Sequence, residues 1–228
     1  MRPFPLLLIL ACSPALAGGF QSWVPPGWKL VQQQHGDLNG DSRSDAVLVI
    51  EGTDPAKHVK NEELGEPDLN LNPRRLLVLL AKGQGYEKAV DNAEFLPGPN
   101  DAEAPCLADP LDGSGVSIRR GSLVIHFNYW QSCGSWGSSE VTYRFRLEDR
   151  RLRLTGIDSG EFMRNSGERS ERSYNLLTGK CKITTGLNEF EPARGKVEWK
   201  TLPIAPPVHL EQLGSSGSGT GIPAGCAP

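Results

Sequence analysis

The chain has 228 residues, a formal net charge of −3 and 38% hydrophobic residues, enough for one large or two small domains whose core needs no metal to form. Its acidic and basic residues are intermixed, which excludes the basic face that nucleic-acid binding requires. No run approaches the roughly 18 consecutive apolar residues of a membrane-spanning helix.

Met1-Arg2 precedes an apolar run from Pro5 to Ala11 and then Ala15-Leu16-Ala17, the pattern of a secretory signal peptide cleaved after residue 17. A chain so processed is periplasmic or secreted, by bacterial export, and carries a net charge of −4, since the segment removes one positive charge. A competing reading takes Ile9-Leu10-Ala11-Cys12 as a lipobox-like end with a lipid anchor on Cys12; cleavage at Ala17 is the expectation adopted. Residues 18–205 are expected to form a β-rich domain.

Trp28–Gln33 reads as a strand, and after it comes Asp37-Leu38-Asn39-Gly40-Asp41-Ser42-Arg43-Ser44-Asp45, followed at once by the apolar Ala46–Ile50. Short oxygen-bearing side chains at alternate positions, with one more four residues on, suit a hard cation such as Ca²⁺, which takes about 6–8 oxygens. The side chains of Asp37, Asn39, Asp41 and Asp45 and the carbonyl of Arg43 are the expected ligands. The alternative is a metal-free turn between two strands, but three carboxylates within nine residues repel one another unless a cation offsets them. This arrangement resembles the calcium loops of the FG-GAP and VCBS-type repeat families, D-x-N-G-D-G-x-x-D before a hydrophobic strand, matched here by Asp37, Asn39, Gly40, Asp41 and Asp45. Ser42 departs from it, standing where the family has a glycine for a left-handed turn, at a cost of about 1 kcal/mol. No second copy follows, which argues against a multi-bladed propeller. More broadly, Asp37–Ile50, Arg74–Leu80 and Ser173–Lys180 look similar to a class of exported bacterial proteins of unknown function with a single such loop; that resemblance implies no activity.

Asp54-Pro55 before Ala56–Leu64 and Gly65 has the capping residues of a short helix, the only one expected. Ala46–Ile50 and Leu76–Leu80 are apolar on both faces, as paired central strands covered on both sides would be. Leu123–Tyr129 and Val141–Leu147 alternate at period two, with Leu123, Ile125, Phe127 and Tyr129, and then Val141, Tyr143, Phe145 and Leu147, inward. Shorter strands are expected at Leu152–Ile157, Arg172–Leu177, Lys182–Thr185 and Val197–Thr201, and turns at Arg120-Gly121-Ser122, Glu148-Asp149-Arg150 and Thr178-Gly179-Lys180. The fold class is therefore mainly β: antiparallel sheets in a sandwich or meander, one short helix, and a disordered Gly/Ser/Pro-rich tail at 206–228.

Beyond the signal segment the cysteines are Cys106, Cys133, Cys181 and Cys226, an even set that in an exported chain implies two disulfides with three possible connectivities. Neighbour pairing, Cys106 with Cys133 and Cys181 with Cys226, is the working assignment; zinc lacks its C-x-x-C spacing. Trp130 and Trp136 flank Cys133 in a glycine-rich loop and could present an aromatic surface to a sugar or protein partner, or cap the open end of the core. Trp130 is expected to cap and Trp136 to be partly exposed.

No catalytic set stands out. His35, His58, His126 and His209 lack metal-ligand spacing, no serine sits in a G-x-S-x-G elbow, and Thr178-Gly179-Lys180 lacks the rest of a phosphate loop. Glu161, Glu168 and Glu171 read as a solvated charged loop. The expectation is a secreted or periplasmic calcium-binding protein without enzymatic activity, recognising an envelope protein, a glycan or a toxin it neutralises. The alternative is an envelope hydrolase whose catalytic residues are not identified.

Overall fold

The computed structural model describes residues 19–112, 115–191, 194–214 and 223–226; the proposed signal segment, Cys12 and the Gly/Ser run lie outside them. Thirteen strands follow in chain order among these residues: β1 Trp28–Gly36, β2 Asp45–Gly52, β3 His58–Lys60, β4 Asp68–Asn70, β5 Arg74–Lys82, β6 Gly85–Asn92, β7 Val116–Arg119, β8 Ser122–Trp130, β9 Gly137–Glu148, β10 Arg151–Met163, β11 Glu168–Asn175, β12 Lys180–Asn188 and β13 Lys196–Thr201. They make a four-stranded sheet, β1-β2-β5-β6, and a seven-stranded meander, β13-β12-β11-β10-β9-β8-β7, all antiparallel, with β3-β4 as a separate hairpin. The mainly antiparallel β class expected from alternation is the class observed.

The two sheets pack face to face. Val47, Val49, Leu76 and Val78 of the smaller sheet meet Leu123, Ile125, Phe127, Tyr143, Phe145, Leu152 and Leu154 of the larger in one core. Phe95, from the connection after β6, fills the gap between them, with its ring edge-on to Tyr143 at 5.2 Å and to Phe145 at 5.7 Å. Where β1 meets β7 the Ile118 side chain packs directly on the backbone of Gly36, so that a Cβ there would stand 2.6 Å from Ile118 Cγ2. The opposite face of the smaller sheet, Ala46, Leu48, Ile50, Leu77 and Leu79, is covered by Phe20, Trp23, Val24, Trp28 and Tyr86. Ala46–Ile50 and Leu76–Leu80 thus lie side by side, Ala46 opposite Leu79 and Val49 opposite Leu76, and are buried on both faces as their composition predicts.

The helix expected at Ala56–Leu64 is absent. Asp54 does cap, accepting the Ala56 N–H at 2.9 Å, and Pro55 starts a turn, but that turn is 3₁₀ and ends at Lys57. The chain then enters β3, pairing Val59 with Leu69. The reason lies beyond the capping residues: Val59 pairs with the buried Leu69 ten residues on, and Asn61 closes the loop by donating Nδ2 to the carbonyl of Glu66 at 3.0 Å, which favours a hairpin over a further helical turn.

The segment 206–228, expected to be a flexible tail, is docked in its described residues. Leu210 and Leu213 enter the main core, His209 bridges to Arg153, and Cys226 is buried and bonded to Cys181. Cys106 is bonded to Cys133, so both disulfides follow neighbour pairing. Two leucines and a cysteine within a Pro/Gly/Ser-rich stretch anchor those described residues.

An ion cluster closes one end of the smaller sheet. Glu51 is buried and accepts from Lys29 Nζ at 2.9 Å, Asn70 Nδ2 at 3.0 Å and Arg74 Nε at 3.2 Å, while Arg74, also buried, grips Asp109 with Nη1 at 2.6 Å and Nη2 at 2.5 Å. Burial pushes the Glu51 carboxyl up, but the bonds from Lys29 and Asn70 and the charge of Arg74 outweigh it and hold it below the usual carboxylate range. A depressed carboxylate stabilises the fold above its unfolded pKa, and that contribution is lost as pH falls through the folded value. Arg74→Leu should therefore cost about 3–5 kcal/mol at neutral pH, by leaving Glu51 and Asp109 without their cation, and less once Glu51 is protonated in both proteins; urea unfolding of the two proteins across the acid range checks this.

Candidate functional site

The loop between β1 and β2 is built by its own side chains. Asp37 accepts the Gly40 N–H at 2.7 Å and the Ser42 N–H at 2.8 Å, Asn39 accepts that of Asp41 at 2.9 Å, and Asp41 accepts that of Arg43 at 2.9 Å. These bonds, typical of Asx turns, wind the chain tightly. Ser42 has φ 63° and Gly40 φ 79°, so the serine holds the left-handed position that the calcium-loop pattern gives to glycine. Desolvation pushes the Asp37 carboxyl up, yet the surrounding backbone N–H groups of Ser42, Gly40, Asn39 and Asp41 outweigh it and keep it below the ordinary carboxylate range.

Two anchors fix this loop to the fold. Leu38 turns its side chain into the main core. Asp45, with 0% exposure, accepts the Leu38 N–H and the Ala81 N–H, each at 2.8 Å, and so joins the loop to the end of β5. Arg43 adds a bond from Nη2 to the Gly83 carbonyl at 2.5 Å, in the β5–β6 turn. Among the described residues no three His, Cys, Asp or Glu side chains gather into a metal-holding group; oxygens of Asp37, Asn39 and Asp41 accept from the loop's own amides, and Asp45 accepts from one loop amide, Leu38, and from Ala81 of β5. Each carboxylate has about four lone-pair sites, so these bonds leave acceptor capacity on all three.

A second feature lies on the larger sheet. β9 and β10 are longer than the smaller sheet can cover, and past Val141 and Ile157 their inner face opens into a cleft of about 710 Å³, lined by Tyr129, Ser139, Glu161, Met163, Arg169 and Leu187 among others. Two of its three charged side chains are paired, Glu161 with Arg172 at 2.9 Å, and Arg169 with Glu171 at 2.9 Å and Glu189 at 3.2 Å, while Glu168 is exposed at its rim. Burial, with the neighbouring Tyr143 adding to it, pushes the Tyr129 hydroxyl up to about 12, so it is a neutral donor at physiological pH.

The Trp130–Trp136 loop borders this cleft through Gly137. Arg164 organises it: its guanidinium lies 4.8 Å from the Trp130 ring centroid, Nη2 donates to the carbonyls of Gln131, at 2.8 Å, and Ser135, and its backbone N–H donates to Trp136 at 2.9 Å. Trp130 is 39% exposed and Trp136 57%. The core-capping role expected of Trp130 is therefore corrected: strand alternation continues past Tyr129 and turns Trp130 to the outer face, where a cation covers it. Trp136 is partly exposed, as expected. Glu161, Glu168 and Glu171 are also corrected, since they sit on β10 and β11 and not on a loop, and the first two line the cleft.

The remaining candidates stay apart. His126 pairs its Nδ1 with Thr142 Oγ1 at 2.9 Å, and His35 packs on Phe20. Sequence reasoning missed Arg164 and the cleft, because both depend on β10 running past the smaller sheet. Compared with known proteins, the chain matches no family model, no curated protein and no solved structure.

Two variants test the loop's construction. Asp45→Ala strands the buried Leu38 N–H and the part-buried Ala81 N–H and should destabilise by roughly 2–4 kcal/mol, whereas Ser42→Gly relieves the left-handed turn and should stabilise by about 1 kcal/mol; thermal melts in metal-free buffer measure both.

Proposed function

We propose that this is an exported, calcium-binding protein that acts by recognition and not by catalysis, with the cleft on the larger sheet as its binding site and a hydroxyl-rich envelope ligand such as a glycan as its occupant. The observation that carries this reading is the cleft itself. Its floor joins apolar Phe162, Met163 and Leu187 to the neutral Tyr129 hydroxyl, Gln131, Ser138, Ser139 and Ser170, and the exposed Trp136 directly precedes the lining residue Gly137 in the chain. Aromatic surface beside many neutral donors and acceptors suits the apolar faces and hydroxyls of a sugar. Glu161 and Arg169, already held in pairs, are better placed to recognise a neutral ligand than to activate a water. Export is supported by the two disulfides and by the N-terminal sequence pattern.

Calcium would be held by Asp37, Asn39, Asp41 and Asp45 with the Arg43 carbonyl. The loop's turn, its left-handed Ser42 and the spare acceptor capacity of the carboxylates support that assignment. The cation would offset their mutual repulsion and supply no chemistry of its own. Through Asp45, its effect would reach β5 and the core.

Calcium at a hundredfold excess over its Kd should add about 2.7 kcal/mol of stability, read as a rise in melting temperature that EDTA reverses and Asp41→Ala abolishes. A calcium response undiminished in Asp41→Ala places the cation elsewhere. For the cleft, Trp136→Ala should melt like the wild type and lose a contact worth about 2 kcal/mol in titrations against envelope oligosaccharides; unchanged affinity, or no oligosaccharide bound by the wild type, contradicts the assignment.

A further inference from the structure

The last strand of the larger sheet, β13, has no strand paired on its outer edge among the described residues. Its residues alternate cleanly. Lys196, Glu198 and Lys200 occupy one face; Val197, Trp199 and Thr201 occupy the other, where Val197 is 48% and Trp199 64% exposed. An open edge beside a large exposed aromatic is an aggregation risk unless something pairs with it.

We propose that a second copy of this chain covers it, two β13 strands joining antiparallel around a two-fold axis through Trp199. Directly opposite residues in an antiparallel pair share a face, so a symmetric pair must be centred on a residue facing its own copy. In a strand of six residues, only centring on Glu198 or on Trp199 pairs all but one of them. The Glu198 register sets Glu198 against Glu198 and Lys196 against Lys200, like charge against like. The Trp199 register sets Glu198 against Lys200 twice, Val197 against Thr201 twice, and Trp199 against Trp199. Opposite charges across strands favour pairing and like charges oppose it, so the lysines that commonly protect an edge here select one register. Lys182, opposite Trp199 on β12, flanks the paired indoles with a cation on each side. The product is one continuous sheet with the two clefts at separate places along it, and it depends on neither the calcium nor the glycan assignment.

Sedimentation equilibrium of the full exported chain, over concentrations suited to a weak interface with Kd of roughly 10 µM to 1 mM, tests this. The wild type should be a monomer–dimer equilibrium, Lys200→Glu should weaken it at least tenfold by opposing Glu198 to glutamate at both sites, and the swap Glu198→Lys with Lys200→Glu should restore it. Thermal melts of all three confirm that each is folded, and if Lys200→Glu fails there, Glu198→Lys replaces it with the same expectation. A wild type monomeric throughout, including one whose edge takes up a strand from another protein instead, overturns the proposal, as does a dimer that the single charge reversals leave intact or the swap does not rescue.

Discussion

Every residue of β2 is buried, and the strand has a carboxylate near each end. A buried carboxylate is stable only where donors surround it, and the positions of those donors organise the smaller sheet and what attaches to it. At the first end Asp45 draws in the amides of Leu38 and Ala81, which sets the path of the loop after β1 and the end of β5. At the other end Glu51 draws in Lys29, Asn70 and Arg74, and Arg74 passes the constraint on to Asp109, whose Oδ1 also accepts the Leu111 N–H at 3.0 Å. Hairpin β3-β4, the loop before β7 and the Asx-rich turn are thereby tied to one strand.

The division of labour in the larger sheet follows from the size of the smaller one. Four strands cover only part of seven. The covered part, in β8, β9 and the first half of β10, is built of Leu, Ile, Phe and Tyr; beyond it the inner face changes to Ser139, Glu161 and Ser170. The same strands thus provide both the core and a solvated concave face, and the disulfide between Cys106 and Cys133 with the Arg164 clamp holds the loop at the boundary.

Much of this architecture was legible in the sequence because burial leaves a period. Strands apolar on one side or both, β2, β5, β8 and β9, stood out, as did the paired cysteines and the turns that join β7 to β8, β9 to β10 and β11 to β12. β6 did not, since its only buried apolar residue is Val90, and β7 is too short to show alternation. The capping pattern of Asp54-Pro55 was real but stopped at one turn, because the pairing partner for Val59 lies ten residues on and no local rule weighs it. The docking of Leu210 and Leu213 was hidden by the Pro/Gly/Ser composition around them. Within the candidate sites, the residues of the Asp/Asn loop were apparent from spacing alone; the burial of Asp45 was not, because the partner amide of Ala81 comes from a distant strand.

Asp45 fixes the loop to the sheet as part of one cooperative structure. Native-state hydrogen exchange at the Leu38 and Ala81 amides measures this directly. Both should exchange only with global unfolding, as slowly as the amides inside β2, while Gly40 and Ser42 in the exposed turn exchange by smaller openings. Rapid exchange at Leu38 or Ala81, at rates typical of surface loops, would contradict the account.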